Sequence, residues 1–278
     1  MKTGVIDVGG GLRGIYAAGV FDYCLDKQIK FDYGIGISAG SANLASYMGG
    51  QKGRNFQFYY EYSSRKEYMG KKEFLLRHSF INLDYVYGTL SESGGENPLD
   101  YEKMAENPME WYIAGTDATT GKSRFFDRND IHQDDYSILK ASCAIPFVCK
   151  PRFIDGVPYY DGALGNPVPI EKAFQDGCDK VVLILTKPVD EILTPDTDEK
   201  LAKLIRRKYP RAARQLELRA AHYNEGVALA QKYARVGKAL IIAPDDTCGV
   251  ATLTRDKTAL KSLYDKGYRD GAAISDFM

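Results

Sequence analysis

The chain has 278 residues, 44% hydrophobic and 27% charged, which fits a globular protein with one large α/β domain or two small ones. Lys and Arg total 37 and so do Asp and Glu, so no global field favours a nucleic acid or other polyanion as partner. The five cysteines, Cys24, Cys143, Cys149, Cys178 and Cys248, are odd in number and lack C-x-x-C spacing, which argues against a disulfide framework or a zinc site and for reduced thiols in a cytoplasmic protein.

Asp7 interrupts the first apolar run too early for a secretory signal. The longest clean apolar run in a strand context, Val181 to Leu185, is far short of the ~20 residues of a membrane span. The chain opens with a predicted strand over Gly4 to Val8, then Gly9-Gly10-Gly11-Leu12-Arg13-Gly14, then a helix with apolar residues at Leu12, Tyr16, Val20 and Cys24. Two readings compete for the glycines. Gly9, Gly11 and Gly14 satisfy G-x-G-x-x-G after a strand, and Asp32 follows at roughly the ~20-residue distance of a ribose-binding acid, as in dinucleotide-binding oxidoreductases. Against that reading, Asp32 precedes the second strand, Tyr33 to Ile37, whereas a ribose-binding acid belongs at that strand's carboxyl end.

That carboxyl end carries Ser38, inside Gly36-Ile37-Ser38-Ala39-Gly40, a G-x-S-x-G pattern that leads into a helix from Ser41. A serine on a sharp strand-to-helix turn needs small neighbours two positions away, and the following helix points its positive N-terminal end at a developing anion. An ordinary strand–turn–helix rich in small residues would look the same. The second reading of the glycines joins the two turns. Consecutive parallel strands bring both to one sheet edge, where the N–H groups of Gly10 and Gly11 could face Ser38 as an oxyanion hole. Arg13 either orients that loop, attracts an anionic head group, or is a solvated helix-start arginine.

Residues 53–87 are crowded with rings (Phe56, Phe58, Tyr59, Tyr60, Tyr62, Tyr68, Phe74, Phe80, Tyr85 and Tyr87) and carry Lys71, Lys72 and Arg77 among their cations. Such rings pack a core or line an acyl pocket. Ser91 to Pro98 is a loop. Trp111 to Thr116 is a third strand, returning through Ser123 to Phe126, and Tyr136 to Ala144 is helical. Arg152 to Ile154 and Val157 to Tyr160 flank Asp155-Gly156, a hairpin signal that accounts for Asp155. No comparable turn demand accounts for Asp161, which is the better working carboxylate. Lys180 to Thr186 and Ala239 to Ala243 are strands. Between them a basic helical stretch carries an apolar stripe of Leu201, Leu204, Ile205, Tyr209, Ala212 and Leu216, interrupted by Pro210. Such a face is either solvated or rests on an anionic membrane. Arg255 to Phe277 reads as one last helix with Leu260, Leu263 and Tyr264 inward.

Serine needs a base to take its proton. The histidines are His78, His132 and His222. The order Ser…Asp…His would choose His222, but it sits in a charged helical run and reads as a surface residue. A partly desolvated carboxylate can replace imidazole, which places Asp161 within hydrogen-bond reach of Ser38 in a partly dry cleft.

Taken together, Gly9-Gly10-Gly11-Leu12-Arg13-Gly14, Gly36-Ile37-Ser38-Ala39-Gly40 and Asp161-Gly162-Ala163 occur in the order and context of the patatin-like phospholipase family, and the chain resembles a bacterial-type member to about Pro169. The resemblance implies a three-layer α/β/α fold with a central, mostly parallel sheet. It implies a Ser–Asp dyad that hydrolyses acyl esters of lipids, with Ser38 matching the nucleophile and Asp161 the base. Gly10, Gly11 and Arg13 match the oxyanion loop, and Gly9, Gly14, Gly36, Gly40 and Gly162 the motif glycines. Val8 stands where plant members carry a further glycine, and Ala163 where many members do. The expected organisation is a single domain over 1–278, with core motifs in 1–170, a helical insertion around 53–105 and the basic helical segment around 196–236. Neither a cofactor nor a metal is expected. The expected partner is a lipid or fatty-acyl ester, with peripheral contact to an anionic membrane. An acyltransferase using the same acyl-serine is the alternative, although malonyl-type transferases place histidine where this chain has Ile37.

Overall fold

The computed structural model describes residues 1–70 and 79–278. Its strands are β1 (Thr3–Asp7), β2 (Tyr33–Ile37), β3 (Glu110–Asp117), β4 (Ser123–Phe126), β5 (Arg152–Ile154), β6 (Val157–Asp161), β7 (Lys180–Ile184) and β8 (Ala239–Ile242). Its helices are α1 (Ile15–Asp26), α2 (Ala39–Met48), α3 (Arg54–Tyr60), α4 (Tyr101–Glu106), α5 (Ser137–Ser142), α6 (Ile170–Gln175), α7 (Asp196–Ile205), α8 (Pro210–Arg235), α9 (Lys257–Asp270) and α10 (Ala273–Phe277).

The strands join in one sheet in the order β5-β6-β3-β2-β1-β7-β8, with β4 paired to β3. From β3 to β8 the path is parallel. β4, β5 and β6 are antiparallel. Side-chain alternation along the central strands builds the layers. Val5, Val182 and Ile184 enter one hydrophobic cluster with residues of α1, α2 and α9. Ile6, Val181 and Leu183 enter a second cluster with residues of α6 and α8. The result is the three-layer α/β/α arrangement, with the parallel strands covered on both faces.

Chain order runs from β1 to β2 on one side and returns to β7 on the other side of β1. Such a switch point opens a crevice at the carboxyl ends of the strands. The glycine turn follows β1 there, and Ser38 follows β2. Asp32 is at the opposite end of the sheet, where its Oδ2 accepts the Thr3 N–H at 2.8 Å.

Several local expectations need correcting. The C-terminal segment is two helices, not one, because the chain turns at Gly271 against Tyr23, where an added Cβ would come within 3.0 Å of Tyr23 Cβ. Leu204, expected on the inward stripe, is 59% exposed, since α7 is short and turns Ala202 and Ile205 inward instead. The basic run is partly neutralised: Asp198 accepts two bonds from Arg219, and Glu217 pairs with Arg206 and Arg214. Segment 53–105 mixes α3 and α4 with short turns at Tyr62–Ser64 and Tyr85–Thr89. Phe58, Tyr59, Tyr62, Tyr68 and Tyr87 are buried in it, whereas Lys71, Lys72, Phe74, Arg77 and His78 lie outside the described residues. All five cysteines are free. Among the described residues, no helix is long and apolar enough to cross a membrane.

The last part of the chain is tied to the first through α1 and α9. A Cβ on Gly19 would meet the Tyr264 carbonyl oxygen at 2.2 Å, and one on Gly267 the Tyr16 carbonyl oxygen at 2.0 Å. Neither backbone can yield cheaply. Gly267→Ala should therefore lower stability by ~1–3 kcal/mol in a denaturant titration, the usual cost of overpacking; an unchanged midpoint would show that the helices separate freely.

Candidate active site

Ser38 sits between β2 and α2 with φ 54° and ψ −129°. A non-glycine residue held there stores about 1–3 kcal/mol of strain, and the surroundings show what holds it. The Ser38 N–H donates to Ser142 Oγ at 2.9 Å. The Ser38 carbonyl accepts from the Ser41 hydroxyl at 2.6 Å and the Ser41 N–H at 3.0 Å. A Cβ on Gly36 would meet Ser41 Cα at 2.5 Å, and one on Gly40 the Asp7 carbonyl oxygen at 2.3 Å. These approaches are the steric reason for the two motif glycines.

The turn after β1 lies against this elbow. Gly9, Gly10 and Gly11 all have positive φ, at 69°, 134° and 61°. A Cβ on Gly9 would meet the Ile37 carbonyl oxygen at 2.3 Å. The Gly9 N–H donates to Asp7 Oδ1 at 2.9 Å, and the Gly9 carbonyl accepts the Thr186 hydroxyl at 2.5 Å. From the far side, the Thr252 carbonyl accepts the Leu12 N–H at 2.9 Å, and Arg13 Nη1 donates to Thr252 Oγ1 at 3.1 Å. Among the described residues, the N–H groups of Gly10 and Gly11 meet no acceptor. Gly14 serves packing: its Cβ would meet the Tyr59 hydroxyl at 2.6 Å.

Asp7 is fully buried beneath both turns. Its second oxygen accepts Asn43 Nδ2 at 2.8 Å, and Asn43 Oδ1 accepts the Tyr59 hydroxyl at 3.0 Å. Burial pushes the Asp7 carboxyl up to about 6, against the pull of the Asn43 and Gly9 donors.

Asp161 ends β6, opposite Gly115 of β3. Its N–H donates to the Ala144 carbonyl at 3.0 Å, and its carbonyl accepts the Thr116 hydroxyl at 2.9 Å. Gly162 follows with its Cα against β3, where a Cβ would meet the Ala114 carbonyl oxygen at 2.3 Å. One carboxylate oxygen accepts the Ala163 N–H at 2.9 Å, and Asp161 and Ser38 line the same cavity. The side chain is buried, and that burial raises its pKa to about 6; Ala163, Ser38 and the charge of Arg219 act in the other direction. Of the described histidines, His132 is exposed, and His222 is half-buried on α8 and lines neither cavity beside Ser38.

Ser38 borders two cavities. One is narrow and apolar, and rings of the aromatic segment form much of its wall, Phe58, Tyr59, Tyr68 and Tyr87 among them. The other is larger and the more polar of the two, though apolar groups still form most of its surface, and it holds Gly10, Gly11, Arg13 and Asp161 there. Arg219, Tyr223 and Thr252 line it as well. The arrangement thus joins a hydroxyl, a buried carboxylate, unpaired main-chain donors, an apolar cavity and a more polar one. Sequence reasoning missed Thr186, Ser142, Asn43 and Thr252. Thr186 alone carried a signal, as the polar residue closing an apolar strand.

A three-layer α/β/α sheet with a serine elbow beside a glycine turn places the chain among the patatin-type α/β proteins. It belongs to the patatin-like phospholipase family, whose model matches residues 8–174. A second family model, a domain of unknown function (DUF6363), matches residues 209–276. The uncharacterized protein YjjU of Escherichia coli (strain K12) is 27% identical over 199 residues, covering 70% of this chain and 54% of that protein. Lysophospholipase NTE1 of Yarrowia lipolytica is 23% identical over 196 residues, covering 68% of this chain and 13% of that protein. The chain therefore matches about half the length of the first relative and a small part of the second. Among solved structures, VipD from Legionella pneumophila aligns with a TM-score of 0.49 at 13% identity, over 99% of this chain and 67% of that one.

The raised carboxyl has a thermodynamic consequence. Folded Asp161 keeps its proton up to about pH 6, whereas the ordinary carboxyl loses it near 3.8. Between those values the native state binds more protons than the unfolded chain, so stability falls as pH rises across that window and then stays at the lower level. Asp161→Asn, which carries no charge to bury, should be more stable than wild type by ~1–3 kcal/mol at pH 8 and close to it at pH 4. Thermal or denaturant unfolding at the two values checks this, and a variant less stable at pH 8 would refute it.

Proposed function

We propose that the chain hydrolyses carboxylic esters of lipids, phospholipid or lysophospholipid, with Ser38 as nucleophile and Asp161 as its base. One observation carries the reading: Ser38 borders both cavities, and the buried Asp161 lines one of them with it. Membership of a phospholipase family supports it, as does similarity to a protein named a lysophospholipase. Asp161 takes the hydroxyl proton as Ser38 Oγ bonds to the ester carbonyl carbon. The carbonyl oxygen gains the negative charge beside the N–H groups of Gly10 and Gly11, each such donor being worth about 2.7–4 kcal/mol. Arg13 steadies that loop through Thr252 and presents its guanidinium to the polar cavity, on the side of an anionic head group. Collapse breaks the bond to the alcohol, which leaves with the proton from Asp161. Water then gives a proton to Asp161 and its oxygen to the acyl carbon, and a second collapse frees the fatty acid and restores the Ser38 hydroxyl.

In this reading the apolar cavity holds the acyl chain and the polar one the leaving alcohol. Residues 1–278 work as one unit, since 209–276 supply Arg219, Tyr223 and Thr252 to the site. Cations of α7 and α8 left over from ion pairing serve peripheral contact with an anionic membrane from the cytoplasm.

A fluorophosphonate probe should label the folded wild type and not Ser38→Ala; folded wild type that resists the probe would end the proposal. On p-nitrophenyl esters, Asp161→Asn should lose about 10²–10⁴ of the rate, and His222→Ala should keep it. Because the base must be ionised, kcat/KM should rise with pH to a plateau above the pKa of about 6. A profile flat from pH 4.5 to pH 8, an interval about either side of that value, would exclude Asp161 as the base.

A further inference from the structure

The apolar cavity does not end on apolar atoms. Ala39 and Ala42, spaced for one face of α2, form part of its wall. Further along that face, at Ser46, the hydroxyl accepts Arg54 Nη1 at 2.9 Å. Ser46 lies eight residues past Ser38, a helix rise of about 12 Å. Arg54 itself borders the cavity. A guanidinium therefore stands at the end remote from the serine.

This guanidinium is under-partnered. Arg54 is only 8% exposed. Nη2 donates to Ser91 Oγ at 2.8 Å and to the Asn97 carbonyl at 3.1 Å, and the group stacks 4.5 Å from the centre of the Phe58 ring. Nε has no acceptor among the described residues. Its partners there are hydroxyls, a carbonyl and a ring, none of them a carboxylate. Burial lowers its pKa only to about 10, so it is charged at neutral pH. A buried cation without a counter-charge is costly to hold. A carboxylate delivered along the cavity would supply that charge.

We propose that the acyl site is built for a chain of medium length that ends in a carboxylate, an ester of an α,ω-dicarboxylic acid, with its ester carbonyl at Ser38 and its distal carboxylate at Arg54. This rests on the reading of Ser38 as the acyl acceptor. A cavity closed only by apolar groups would take plain acyl chains with no terminal preference; this one favours a chain that brings a counter-charge to the guanidinium over one that ends in a methyl group.

The test compares mono-p-nitrophenyl esters of the dicarboxylic series from succinate to sebacate with the monocarboxylate ester of equal chain length. At some middle length, wild-type kcat/KM should favour the dicarboxylate by about tenfold or more. Arg54→Met should bring that ratio towards unity. A wild-type ratio at or below unity at every length overturns the inference, whether or not the variant folds. Calorimetric titration of Ser38→Ala with monomethyl suberate and with methyl octanoate asks the same question without turnover, and tighter binding of the suberate is expected. Plain esters hydrolysed with no preference for the dicarboxylates would sink this inference and leave the hydrolase reading standing. No hydrolysis, but preferential binding of the suberate, would do the reverse.

Discussion

Two stretches of main chain touch where no side chain fits between them: the Gly9 turn after β1 and the Ser38 elbow after β2. The missing Cβ atoms of Gly9, Gly36 and Gly40 each leave room that another backbone fills. The approach is locked from below by Asp7, which ties the Gly9 N–H to Asn43 of α2, and through Asn43 to Tyr59 of α3. A charge-bearing group buried under a site is expensive unless its oxygens are satisfied, and both Asp7 oxygens are. The parallel pairing of β1 and β2 sets the distance between the turns; the carboxylate fixes their orientation.

Asp7 and Asp161 are two buried carboxyls with the same direction of pKa displacement and the same dominant cause. Their surroundings separate their roles. Asp7 is spent on an N–H and an amide, groups with no proton to yield at ordinary pH. Asp161 shares the lining of a cavity with Ser38. Desolvation makes an aspartate a stronger base without changing its geometry, which is how a site can dispense with imidazole. The native state bears that cost as stability lost between pH 3.8 and about 6.

What could be read beforehand was what depends on nearby residues. The Tyr33–Ile37 strand and the Asp155-Gly156 turn with its φ values of 51° and 77° follow from local backbone chemistry, whereas Pro210, which reads as an interruption of one stripe, in fact starts α8. Ser38 and Asp161 were visible because glycines fixed by close packing surround the first, and no turn explains the second. The supports were hidden for the opposite reason. Ser142 is 104 residues from the amide it accepts, Thr186 is 177 from Gly9, and Thr252 is 239 from Arg13. None belongs to a pattern that a single sequence displays. Arg54 looked like one more cation in an aromatic stretch, because burial and the lack of an acid partner are properties of the fold. The single C-terminal helix failed for a similar reason: apolar spacing continues across Gly271, and only contact with Tyr23 shows why the chain turns.

The two sequence families matched along this chain meet inside the cavity beside Ser38. The elbow and the glycine turn come from the first, while Arg219, Tyr223 and Thr252, which line the same cavity, come from the second. The lining beside Ser38 thus draws on two separately matched stretches of sequence. The second stretch also supplies β8 to the sheet, so a change near the end of the chain reaches both the frame and the wall of the cavity that begins at the first glycine turn.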